Sequence, residues 1–211
     1  MITICYPRGA CGNHLRWLLF LDKQIHNPFT DDQSIQGKVN FILNDVYTEN
    51  RTWYNWLKLE SKLSADLLDQ YSLIHNIEKA KFMSSQQDQI TIFLTVSDPT
   101  LVINHLMNVD IINAYALYNN NDNYTFFPEN LDENMKIFYV DSLYEKNLNY
   151  DLYKNIINFL GFDDNYELAN QIQNRYYNIR KKSAAEFYSF FTSTQFNDLL
   201  LYLQKFSEQD D

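Results

Sequence analysis

Glycine is scarce in this chain. Of 211 residues only 4 are glycine and 4 are proline, where average usage of about 7% would give roughly 15 glycines. That excludes collagen-like and glycine-linked low-complexity architectures. Cysteine is rarer still. Cys5 and Cys11 alone cannot build a disulfide framework or a four-ligand zinc site. His14, His26, His75 and His105 fall at no ligand spacing, so no metal centre is expected. Long apolar runs are absent: the longest, Trp17 to Leu21, is five residues, against about 20 for a membrane span. Met1-Ile2-Thr3-Ile4 has no basic region and no small-residue cleavage site, and no lipidation motif is present. The expectation is a reduced, cytoplasmic protein with no membrane partner. Positive charge is also short, 17 Lys and Arg against 27 Asp and Glu for a net −10. Non-specific nucleic-acid binding needs a basic face, so no nucleic-acid partner is expected.

What is there suits a packed domain: 45% hydrophobic and 21% charged residues, over a length that buries a core in a single unit, 1–211. Ile2 to Tyr6 reads as a buried strand stopped by Pro7, followed by a tight loop, and Asn13 opens an amphipathic helix through Leu15, Leu18, Leu19 and Asp22. Residues 24–50 read as polar and irregular with room for one short helix. Trp53, Trp56, Leu57, Leu63, Leu67 and Leu68 recur at helical spacing. Further strands are predicted at Tyr71–His75, Gln89–Val96 and Lys136–Val140. Helices are predicted at Leu101 to about Leu117, Asp151–Leu160 with Gly161 as its C′ residue, Tyr166–Asn178 and Thr194–Lys205. Strands alternating with helices predict an α/β class with a mostly parallel sheet. The residues that follow the strands, Arg8–Gly12, His75, Ser97–Pro99 and Asp141, then converge on one edge of it.

Half of the glycines, Gly9 and Gly12, stand between Pro7 and Asn13, which predicts backbone geometry that side chains would obstruct. A loop joining a strand to a helix N-terminus is suited to an anion, because unpaired N–H groups and the helix dipole both face it. Against G-x-x-x-x-G-K-[ST], Pro7 takes the first position, Gly12 the second glycine, Asn13 the lysine and His14 the hydroxyl. Without that lysine and hydroxyl, a metal-assisted nucleotide kinase is disfavoured. Arg8 supplies a fixed charge instead. Cys11 lies at the helix N-terminus, where thiolates are activated, but no base stands beside it in sequence.

Tyr6-Pro7-Arg8-Gly9-Ala10-Cys11-Gly12 resembles the phosphosulfate loop of the sulfotransferase family. Later segments resemble that family in order: Ile74-His75, Thr95-Val96-Ser97-Asp98-Pro99, Phe138 to Leu143, Asn158-Phe159-Leu160-Gly161, Ile179-Arg180-Lys181-Lys182 and Phe191-Thr192-Ser193-Thr194-Gln195. The resemblance implies a three-layer P-loop-type fold. It also implies sulfuryl transfer from 3′-phosphoadenosine 5′-phosphosulfate (PAPS) to a hydroxyl or amine on a small molecule or glycan. It makes Arg8 the stabiliser of the leaving phosphate and His75 the base. Arg8, Gly9, Ala10, Cys11, Gly12, Asn13 and His14 would hold the 5′ end. Ser97, His105, Arg180, Lys181 and Lys182 would hold the 3′ end, with Ser97 and His105 standing where the family has an arginine and a serine. The alternative is a domain that keeps the fold and binds a nucleotide, an anion or another protein without turnover.

Overall fold

The computed structural model describes residues 1–7, 10–48, 59, 63, 66–67, 70–75, 77–84, 89–98, 101–102 and 130–190, with the side chains of 77–78, 83–84 and 182–190 not described. Its centre is a four-stranded sheet in which every neighbouring pair is parallel. The strands are β1 (Ile2–Cys5), β2 (Tyr71–Ile74), β3 (Ile90–Thr95) and β4 (Met135–Tyr139), in the order β2-β1-β3-β4. Cys5 lies beside Ile74 on one side and Phe93 on the other. The first loop therefore leaves the middle of the sheet at its C-terminal edge, where ligands of open parallel sheets gather.

Both faces are covered, which is why the two central strands are near-continuous apolar runs. Ile2, Ile4, Ile92, Leu94 and Phe138 face the larger core, and Cys5, Ile74, Phe93 and Met135 face a smaller one with Ala80. The helices are α1 (Gly12–Leu19), α2 (Ile35–Phe41), α3 (Ile77–Ser84), α4 (Tyr150–Leu160) and α5 (Tyr166–Phe190). Ala80 puts α3 over the small core, while α1, α4 and α5 contribute Leu15, Leu18, Ile156, Ile157, Ile172 and Tyr176 to the large one. The result is the expected three-layer α/β arrangement. Among the described residues, no helix is long and apolar enough to cross a membrane.

Local chemistry sets the element ends. Ser34 caps α2 by accepting from the Gly37 N–H at 2.9 Å. The helix then relaxes into a π-helical turn, Ile42–Val46, that ends with the Tyr47 N–H on the Ile42 carbonyl at 2.7 Å. Asn149 caps α4 through the Leu152 N–H. At its other end Gly161 adopts φ 69°, and the N–H groups of Gly161 and Phe162 return to the carbonyls of Asn158 and Ile157, a Schellman motif. Two outcomes differ from expectation. The helix expected over 166–178 is one of 25 residues, because no proline or glycine interrupts it. Asp22 is not a helix residue but a buried hub past the end of α1, accepting from the N–H groups of Gln24 and Asp163 at 2.8 Å each. The helices predicted around Trp53 and Trp56 and over 194–205, and most of that predicted over 101–117, lie outside the described residues.

Candidate functional site

The first loop carries the site. Of it, Arg8 and Gly9 lie outside the described residues, and Ala10, Cys11, Gly12 and Asn13 are placed. Gly12 begins α1, so the N–H groups of Gly12, Asn13 and His14 belong to its first turn and have no acceptor within the helix. Ala10 leaves the expected donor set: its N–H turns back onto the Pro7 carbonyl at 3.0 Å. Among the described residues of the loop Cys11 is left-handed, φ 55° and ψ 20°. Gly12 is required for the steric reason its position predicts. A β-carbon there would lie 2.3 Å from the Tyr6 ring, which folds down on the loop.

Tyr6 links the loop to β2. His75 follows that strand, its imidazole edge-on to the Tyr6 ring at a centroid distance of 4.5 Å. His75 Nδ1 lies 2.8 Å from the Tyr6 carbonyl oxygen. A carbonyl only accepts, so Nδ1 carries the hydrogen and donates it, which in the neutral ring leaves the lone pair on Nε2. The residue is exposed, so a solvent-borne group can reach that nitrogen.

A second cluster closes on the loop from α5. Gln173, Tyr176, Tyr177 and Arg180 share one helical face at spacings of three and four. Tyr176 stacks on His14 at 3.8 Å and 9° and sets its hydroxyl 3.8 Å from Cys11 Sγ. Arg180 Nη2 donates to the Tyr144 carbonyl at 2.7 Å, and its guanidinium lies 5.3 to 5.8 Å from the ring centres of Tyr144, Tyr176 and Tyr177. Burial pushes the Cys11 thiol above its ordinary range and Arg180 only partly opposes this, so Cys11 is a thiol.

His14, predicted to touch the ligand, is a structural node. Gln173 Nε2 donates to the carbonyls of Leu143 and Glu145, which turns Gln173 Oε1 toward His14 Nε2 at 2.6 Å. Nε2 therefore carries the hydrogen, and Nδ1 accepts from the Tyr47 hydroxyl at 3.0 Å. Neither ring nitrogen is left for a ligand. Burial depresses the His14 pKa to about 3, so the ring is neutral.

At the β3 end, the Ser97 N–H and the Asp98 N–H donate to Asp141 Oδ1 at 2.8 and 3.2 Å, and Ser97 Oγ lies 3.2 Å from Asp141 Oδ2. The convergence of Ser97 with Asp141 is as predicted, but both Ser97 donors are taken by a carboxylate. Lys181 is exposed on α5, and His105 and the Lys182 side chain lie outside the described residues. The loop is thus brought together with His75 and Arg180, while Ser97 belongs to a separate pairing. Sequence reasoning missed Tyr47, Tyr144, Gln173 and Tyr176. The spacing of 173, 176, 177 and 180 on one face was the available signal for two of these, Gln173 and Tyr176. Among the described residues no group of His, Cys, Asp and Glu is placed to hold a metal. No protein-family model, curated protein or solved structure matches the chain.

Proposed function

We propose that the domain seats the anionic end of a nucleotide 5′-phosphosulfate on the first turn of α1 and transfers its sulfuryl group to a hydroxyl or amine acceptor. PAPS is the donor the sulfotransferase resemblance implies. The observation that carries the reading is the His75 imidazole, oriented by the Tyr6 carbonyl with Nε2 bare, at the foot of a strand–glycine–helix loop. In the reaction the acceptor attacks sulfur, its proton passes to His75 Nε2, and the bond from sulfur to the bridging oxygen breaks. The electron pair leaves with the nucleotide phosphate. Negative charge grows on that phosphate, where the N–H groups of Gly12, Asn13 and His14 and the Arg8 guanidinium would stabilise it. Arg180 adds positive charge from behind Cys11.

The test is transfer of labelled sulfate from PAPS and from adenosine 5′-phosphosulfate to a panel of hydroxyl and amine acceptors. His75→Ala should lower turnover by about 10²–10⁴, the usual contribution of a general base. Unchanged turnover removes His75 from the mechanism. The second reading, a nucleotide- or anion-binding domain without turnover, is favoured by the engagement of Ser97 with Asp141. Binding of nucleotide with no label transferred from either donor would establish it.

A further inference from the structure

The C-terminal edge of the sheet, where α1 begins after β1, carries His75, the proposed base, on its β2 side and Asp141 on its β3–β4 side. Two backbone N–H groups and the Ser97 hydroxyl fix this carboxylate in place. These are the donors that a phosphate placed there would need, and an ionised carboxylate accepts without donating.

The sequence reinforces the point. From Phe82 to Met135 there is no lysine and no arginine, while Asp88, Asp98, Asp110, Asp122, Glu129, Asp132 and Glu133 all fall in that stretch. This is the whole of β3 and its connection to β4, so that segment offers no Lys or Arg to a second phosphate. Arg180 approaches from α5, but it is turned to the Tyr144 carbonyl and to Cys11, on the loop side and away from the Ser97–Asp141 pairing it makes no contact with.

We infer that Asp141 makes the site selective for a nucleotide with a single anionic end, a 5′-phosphosulfate or 5′-phosphate whose ribose 3′-hydroxyl is free. The inference rests on the reading above, in which a nucleotide 5′ end sits on the loop. Asp141 Oδ2 has lone-pair capacity beyond its contact with Ser97, which a sugar hydroxyl can use by donating to it. A 3′-phosphate brought to the same place adds a like charge beside a fixed carboxylate.

Two probes that differ only in the 3′-phosphate decide the matter: adenosine 5′-phosphate and 3′-phosphoadenosine 5′-phosphate, titrated calorimetrically into the full chain and into Asp141→Asn. The unsubstituted protein should prefer the free 3′-hydroxyl by at least about tenfold. Asparagine keeps an acceptor for the Ser97 and Asp98 N–H groups and removes the charge. It should narrow the preference to about threefold or less, chiefly by tightening the bisphosphate. If the unsubstituted protein prefers the bisphosphate, the inference falls and the sulfuryl-transfer reading stands. If it prefers the free hydroxyl and Asp141→Asn leaves that preference unchanged, the assignment to Asp141 falls. If neither nucleotide binds, the reading falls and the inference with it. The unsubstituted protein alone tests the preference should the variant not fold.

Discussion

At Gly12 the Tyr6 ring occupies the space a β-carbon would need, 2.3 Å from its ideal position. Tyr6 is buried and packed against His75, so the ring cannot swing clear without moving the candidate base. Gly12→Ala should therefore destabilise the fold by about 1–3 kcal/mol, the usual cost of forcing volume into a packed site, and should displace His75. Chemical denaturation together with the His75 imidazole NMR shifts checks both. His14 supplies a pH prediction. Its folded pKa, about 3, lies below its ordinary 6.5, so between those values the unfolded chain binds more protons and stability rises with pH. The contribution is complete above 6.5 and is lost as pH falls toward 3. His14→Gln can donate to Gln173 and accept from Tyr47, and it does not titrate there. It should flatten the dependence of the melting temperature on pH over that range, and a slope as steep as the parent's would show that another group is responsible.

Helix α4 begins and ends by local rules. The Asn149 side-chain cap and the Gly161 Schellman turn each satisfy backbone groups that the helix leaves unpaired. Nothing lies within 4 Å of a β-carbon built on Gly161, so crowding is not the issue and its φ of 69° is. Gly161→Ala should cost about 1–2 kcal/mol, the left-handed penalty for a residue with a β-carbon, and Gly161→Asn less. Equal melting temperatures for all three proteins would contradict this. This end was legible in the sequence because a lone glycine after an amphipathic run has one common use. The strands were legible for the same kind of reason: Gln89–Val96 is a near-continuous apolar run and was placed within one residue at each end. The loop was legible only in outline. Its glycines marked the place, and the Tyr6 ring beside Gly12 gives the obstruction they predict, but the left-handed conformation of Cys11 had no signal in the sequence. The His14–Gln173 contact joins residues 159 apart in sequence, and no local pattern announces such a pair.

On the scale of the molecule, the charge is unevenly placed. A net −10 opposes any anionic ligand at a distance, and salt screens that opposition beyond about 8 Å at physiological strength. What decides binding is then the few groups at the sheet edge, which divide into a side with His75 and a side with Asp141. This division was only partly visible beforehand. Sequence order put Ser97 and Asp141 on the same edge, but that the carboxylate would take both Ser97 donors depends on the register of β3 with β4, Thr95 beside Tyr139. The long-range His14–Gln173 clasp also sets a timetable. A ribosome adds roughly 5–20 residues each second, so the partner of His14 is made about 8–30 s after it. Throughout that interval the nascent loop has its strand-side residues but lacks Gln173, Tyr176 and Arg180, which makes the packing around the first loop among the last parts of the described structure to be completed during synthesis.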